Sequence, residues 1–327
     1  MATIKDVAEK SGISIKTVSR VINGVETVRP NVRAKVEAAI RALNYRPALA
    51  ARQLVTGRNF ILVLLVPDAA HWYYSNMVLC MAQACRLVGW HLVVEVFERK
   101  ALEEDDNWTI GLSCNADAVI VLPPWSDHPR MLCSLEALGL PAVRIAGREP
   151  GYGMILEIHD RAISCELVTH LIAQGHQRIA MIAPPSDRIA SEERHLGYRD
   201  AMAAAGLEVP ASFVLRSDMQ VSGGEEAFRH LMAQPIRPTA IFAANDGMAL
   251  GAMTMALRLG FRVPQDLAFV GFDNSPESRC AYPSLTTVAQ PFEDVARTAV
   301  LMAIGRETPD RFIRGEILIR ESSLCPR

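Results

Sequence analysis

Lys16 and Arg20, four positions apart near the start of the chain, carry the first chemistry the sequence offers. An arginine can pair bidentately with guanine O6 and N7, and a lysine can reach the same acceptors or a phosphate. Ser14, Ser19 and Asn23 suit phosphate oxygens, contacts that position a protein on a duplex without specifying sequence. Such contacts need a helix laid in the major groove. A helix-turn-helix supplies one when a small residue sits at the helix crossing, a residue tolerant of positive φ sits in the turn, and an apolar anchor sits on the second helix. Ala8, Gly12 and Val18 fill those positions. With Val18, Val21 and Ile22 turned inward, Ile15, Lys16, Thr17, Ser19 and Arg20 share the outer face.

The elements around this face read as three short helices over residues 3 to 43. Apolar residues recur at helical spacing: Ile4, Val7 and Ala8, then Ile15, Val18, Val21 and Ile22, then Val32, Val36, Ile40 and Leu43. Thr3 with Asp6 resembles a capping box, Ser14 caps the second helix, and Pro30 opens the third. Charge follows the same division. Residues 1–58 hold eleven Lys and Arg against four acids, which leaves 23 basic and 32 acidic residues for the rest of a chain whose net charge is −2. A basic end on an acidic body points to a polyanionic partner for that end alone. The competing account is a solvated positive face with no partner.

Beyond Pro47, the run Ala-Leu-Ala-Ala-Arg-Gln-Leu is a strong helix former closed by Gly57, too brief to be stable alone. From Phe60 the pattern becomes apolar runs at 60–66, 91–96, 118–122, 141–146, 179–183, 240–244 and 267–272, separated by amphipathic segments. Strands buried on both faces read this way, so the body is α/β with parallel sheet and crossover helices. Periodicity leaves open whether it forms one wide sheet or two smaller domains.

Two blocks, TIKDVAEKSGISIKTVSRVING and NYRPALAARQLVTG at 44–57, resemble the amino-terminal signature of the lac repressor family. Further blocks carry the resemblance along the chain: 175–180, 194–199, 239–246, 270–274 and 285–288. It implies a three-helix helix-turn-helix headpiece (1–46), a hinge helix (47–58), and a two-lobed core (59–327) like periplasmic sugar-binding proteins, with doubly wound parallel sheets. The lobes implied are about 59–158 plus 289–316, and 159–288 plus 317–327. Ala51 and Leu54 fall in the hinge, where Leu54 matches a leucine that wedges into the minor groove; an apolar wedge unstacks a base step and bends the duplex. Its competing role is an ordinary linker residue. Arg33 and Lys35 are expected on phosphates.

The resemblance further implies an effector clamped between the lobes. Arg194 and Asp273 occupy its arginine and aspartate positions, Asn245 an amide position, and Asp160 the cleft aspartate. A charged pair and an amide can bond vicinal hydroxyls, and Tyr73 and Tyr74 can face the apolar side of a pyranose. Trp125 and Met219 complete the candidates. Met219 stands where relatives often have an aromatic, Pro123-Pro124 replaces polar residues, and Arg161 follows Asp160 where asparagine is common. Other roles stay open: a structural ion pair for Arg194 and Asp273, a helix cap for Asn245 or Asp246, a core position for Trp125.

The expected protein is therefore a regulator, most simply a repressor of carbohydrate-utilisation genes. Its partners are a pseudo-palindromic double-stranded operator, a mono- or oligosaccharide effector and a second copy of itself. No cofactor, metal or membrane is expected. Seven cysteines form no C-x-x-C pair, and the early sequence has no apolar leader, so a soluble cytoplasmic protein is expected. A solute-binding protein without DNA function fits the basic end poorly. An enzyme lacks support, because nucleophile-elbow, P-loop and G-x-G-x-x-G motifs are missing, as are zinc and calcium spacings. His176 reads as a helix-to-strand junction residue, and Glu103 to Asp106 as a solvated helix start.

Overall fold

Thr3 begins the first helix by a reciprocal cap. Its Oγ1 accepts from the Asp6 amide at 3.4 Å, while its own amide donates to Asp6 Oδ2 at 2.7 Å. The computed structural model describes residues 2–22, 27–45, 53, 56–68, 72–185, 189–306, 308 and 313–324. The chain forms two compact units, Met1–Phe60 and Ile61–Arg327.

In the first unit, α1 (Ile4–Ser11), α2 (Ile15–Ile22) and α3 (Pro30–Ala42) enclose Val7, Val18, Val21, Val28, Val36 and Ala39. Gly12 ends α1 at φ +67°, a conformation that a residue with Cβ adopts only at a cost, and its amide returns to Ala8 and Glu9 carbonyls. That left-handed step turns the chain from α1 into α2. Ser14 Oγ meets the Thr17 amide at 3.4 Å and the Thr17 hydroxyl at 3.0 Å. Pro30 stands in the first turn of α3, where the missing N–H costs nothing. Further on, Gln53 is helical, and Gly57 at φ +67° donates to its carbonyl at 2.8 Å.

The second unit holds two parallel sheets. β1 (Ile61–Pro67), β2 (His91–Phe97), β3 (Ala118–Val121), β4 (Ala142–Ile145) and β5 (Met154–Leu156) pair in the order β2-β1-β3-β4-β5. β6 (Ile179–Ala183), β7 (Val214–Arg216), β8 (Ala240–Ala243) and β9 (Ala268–Val270) pair as β7-β6-β8-β9. β3, β4, β6 and β8 are buried at every position; β3, β6 and β8 therefore read as unbroken apolar runs, and β4 admits Arg144 because Asp127 meets its charge at 2.8 Å. A short antiparallel pair, β10 (Thr287–Ala289) with β11 (Glu316–Leu318), accompanies them.

The helices are α4 (Trp72–Val88), α5 (Arg99–Glu104), α6 (Pro129–Leu138), α7 (Asp160–Ala173), α8 (Ile189–Ala204), α9 (Val221–Met232), α10 (Asp246–Arg258), α11 (Pro276–Cys280) and α12 (Phe292–Ala303). α12 packs on α4 and the first sheet, whereas the turn Glu321–Ser323 packs on β9, Ser322 Oγ donating to the Phe269 carbonyl at 2.6 Å. The chain thus passes between the sheets after β5, before α12 and again after α12, giving a two-lobed α/β core. One local expectation fails: the acidic run from Glu103 closes a helix instead of opening one. Arg130 makes that tolerable, since its guanidinium donates to the Leu102 and Glu103 carbonyls and pairs with Asp106. A cation at a helix C-terminus offsets the local negative charge.

Candidate DNA and effector sites

On α2, Val18 is fully buried while Ile15, Lys16 and Arg20 are exposed and Thr17 and Ser19 partly so. The exposed residues share one face because the 3.6-residue period puts Val18 and Val21 on the other. Ile15 is 44% exposed, a large apolar side chain left on a basic surface. Arg20 Nη2 donates to Thr27 Oγ1 at 2.8 Å, a partner the sequence did not signal. Arg33 is partly exposed on α3, and Lys35 is exposed. Asn23, Ala51 and Leu54 lie outside the described residues.

In the core, the candidate residues follow the C-terminal ends of the strands, where open α/β sheets present their loops to ligands. Tyr73 and Tyr74 follow β1, Trp125 follows β3, and Asp160 follows β5. Met219 follows β7, Asn245 follows β8 and Asp273 follows β9, with Arg194 on the helix after β6. Arg194 Nε donates to Asp160 Oδ2 at 2.9 Å, its Nη1 donates to the Ala244 carbonyl at 2.6 Å, and Nη1 lies 3.8 Å from Asp273 Oδ1. The guanidinium sits 3.8 Å above the centre of the Phe272 ring.

Burial works against the Arg194 charge, but Asp160 and Asp273 outweigh it and hold its pKa above the usual value. Burial pushes the Asp273 carboxyl up to about 7, with Asp246 and Asp160 adding to the rise and Arg194 and Gln290 opposing it. Burial likewise lifts Asp246 to about 6 against hydrogen bonds from Thr287 and Ser275. The Tyr73 phenol is raised by burial, then by Tyr74 and Asp160, and the charges of Arg194 and Asp273 also reach it. A side chain of the first lobe thus shares its electrostatic surroundings with three of the second.

The amino-terminal segment 3–48 matches the family described as bacterial regulatory proteins, lacI family. Over 310 residues the chain is 34% identical to the ribose operon repressor of Escherichia coli (strain K12), covering 94% of each chain. The chain belongs to the lacI family. It is accordingly a DNA-binding transcriptional regulator and not an enzyme, as the sequence blocks implied.

Residues 168–327 match a periplasmic binding protein-like domain. The HTH-type transcriptional repressor PurR of Shigella sonnei is 31% identical, covering 94% of this chain and 90% of its own. Among solved structures, the lac repressor dimer bound to operator and the anti-inducer ONPF aligns with TM-score 0.72 at 27% identity, covering 99% of both chains. The transcriptional regulator CelR–cellobiose complex aligns with TM-score 0.69 at 31% identity, covering 98% of this chain and 100% of its own.

Within this lacI-family chain, the structure brings Asp160, Arg194 and Asp273 together, with Tyr73 near enough to feel their charges. Tyr74 stacks edge-on to Tyr73 at 5.4 Å, and its hydroxyl donates to the Pro123 carbonyl at 3.3 Å. Asn245 caps α10, accepting from the Met248 amide at 2.9 Å and donating to the Met219 carbonyl at 2.9 Å, so the capping role left open by the sequence is present. Met219 is 9% exposed at φ +69° and joins the second lobe's apolar core. Trp125 packs in the first lobe's core, 5.8 Å from Phe97. Sequence reading assigned no role to Phe272 and Gln290, although Gln290 Nε2 donates to Asp273 Oδ1. Among the described residues no cluster of side chains suits a metal, and no helix is long and apolar enough to cross a membrane.

Proposed function

We propose that this lacI-family chain is a cytoplasmic, homodimeric repressor of carbohydrate-utilisation genes, released from or fixed on its operator by a neutral sugar. In this reading 1–46 reads DNA, 47–58 is the hinge, and 59–327 binds the sugar and the second copy. Ser14, Ile15, Lys16, Thr17, Ser19, Asn23, Arg33, Ala51 and Leu54 contact DNA around the base-reading Arg20. The sugar meets Asp160, Arg194 and Asp273 through hydroxyls and Tyr73 and Tyr74 through its apolar face, with Trp125, Met219 and Asn245 shaping the walls.

The observation that carries the reading is the pairing of Arg194 with Asp160 and Asp273 at the strand ends of the second lobe, with Tyr73 of the first lobe within reach of their charges. Two carboxylates around one guanidinium accept hydroxyl hydrogens and disfavour a ligand with a negative group. Relatives named for ribose and crystallised with cellobiose agree with that chemistry. Exposed Leu79, Leu87 and Val96, on α4 and the edge strand β2, offer apolar surface to a second copy.

A thermal-shift screen of mono- and disaccharides, nucleosides and purines tests it. A sugar at 100 times its dissociation constant should add about 2.7 kcal/mol to stability. A purine or sugar phosphate as the sole stabiliser would overturn the sugar assignment.

A further inference from the structure

Arg148, just beyond β4 of the first lobe, reaches across to Glu193 on α8 of the second, Nη2 to Oε2 at 3.3 Å. Glu193 immediately precedes Arg194, so one helical turn carries both a charge facing the other lobe and the guanidinium that pairs with Asp160 and Asp273. Arg148 is held from two further sides. Its amide donates to Asp127 Oδ2 at 2.7 Å, and its Nη2 donates to the Ile158 carbonyl at 3.1 Å on the segment crossing between the lobes. Asp127 is itself fixed by Arg144 at 2.8 Å, in an ion pair whose side chains are 1% and 3% exposed. The Ile158 contact already restrains the Arg148 side chain, so closing the pair costs less side-chain entropy than joining two free surface chains.

We infer that Arg148 and Glu193 form a clasp between the lobes, and that Arg148 is a positioning residue which acts through Glu193 to hold Arg194 in place across the cleft. The inference rests on the cleft being the effector site. Opening the lobes parts this pair and frees the turn of α8 around Glu193 together with the crossing segment before Asp160. The clasp therefore adds to the free-energy gap between open and closed cores, the gap against which any effector must work. With side chains 30% and 20% exposed, its strength is that of a partly screened pair.

Hydrogen exchange on the full-length protein without effector tests the clasp separately from the effector assignment. In Arg148→Gln and in Glu193→Gln, amides of 156–160 and 189–199 should exchange roughly two- to five-fold faster than in wild type, the size expected for loss of a partly screened ion pair. Strands β3 and β8 should keep their wild-type rates. The double variant should be no faster than Arg148→Gln alone, Arg148→Lys should stay near wild type, and 1 M NaCl should bring wild type toward the variants. Wild-type rates in both single variants, additive effects in the double, or equal acceleration of β3 and β8 would overturn it.

Discussion

Arg20 and Arg33 are both arginines of a basic headpiece, yet their settings differ and the proposed function gives them different work. Arg20 lies on the exposed face of α2, with Thr27 steadying its guanidinium, whereas Arg33 lies on α3. Arg20→Ala should cost on the order of 1–3 kcal/mol at one base position and relax preference there. Arg33→Ala should weaken binding to all sequences and lower the salt slope by about one. Selection from a randomised duplex library checks both, and an unchanged preferred half-site in Arg20→Ala would remove its base-reading role. At the cleft, the raised Asp273 carboxyl gives a pH signature. Its folded value of about 7 exceeds the ordinary aspartate value of 3.8, so the folded protein holds the proton longer and stability declines as pH rises from about 4 to 7. Asp273→Asn should flatten thermal melts between pH 5 and 7.5, toward a limit of about 1.4 kcal/mol per pH unit for one proton. An unchanged slope would contradict it. Arg194 and Asp273 were legible because charged residues stood inside recognisable blocks. Phe272 and Gln290 were not, since their contacts join segments that only the folded lobe brings together.

The elements were legible wherever burial makes a pattern. All seven apolar runs became strands, most plainly β3, β6 and β8, where cover on both faces leaves no polar positions, while Arg144 inside β4 and the exposed positions of edge strand β2 interrupt the pattern without hiding it. β5, β7, β10 and β11 were missed, each being three residues and only partly buried along its length. The acidic run after Arg99 misled because charge alone does not say which end of a helix it occupies; Arg130, distant in sequence, decided that. Two glycines inside helices mark close packing. A Cβ on Gly251 of α10 would lie 2.0 Å from the Val221 carbonyl of α9, and one on Gly224 would lie 2.1 Å from the Met248 carbonyl. Gly251→Ala should therefore destabilise the core by about 1–3 kcal/mol despite its gain in helix propensity, read as a lowered thermal midpoint. A raised midpoint would contradict this packing. Leu54→Ala tests the proposed hinge. Losing an apolar wedge worth about 1.5–3 kcal/mol should weaken the operator complex tenfold or more while effector affinity of the DNA-free protein stays unchanged.

For the whole molecule, the proposed function divides the labour between two compact units, with residues of 1–60 reading DNA and residues of 61–327 binding ligand. A dimer follows from the proposal, since one headpiece reads only a half-site and two-fold protein symmetry maps onto a palindrome. Sedimentation at micromolar concentration should give a species of twice the chain mass, and a monomer would contradict it. Fold class and family were plain from the sequence, because the headpiece blocks and the apolar runs are local. How ligand and DNA communicate was not, because it depends on lobes, crossing segments and a second copy. An effector shifts operator affinity only by its differential affinity for the two arrangements of the core. Titration of labelled operator with the Asp273→Ala protein, with and without the sugar found by thermal shift, tests this coupling most directly. The account predicts wild-type operator affinity and no response to the sugar. Loss of operator binding in a variant that is still folded and dimeric, or a full wild-type response to the sugar, would contradict it.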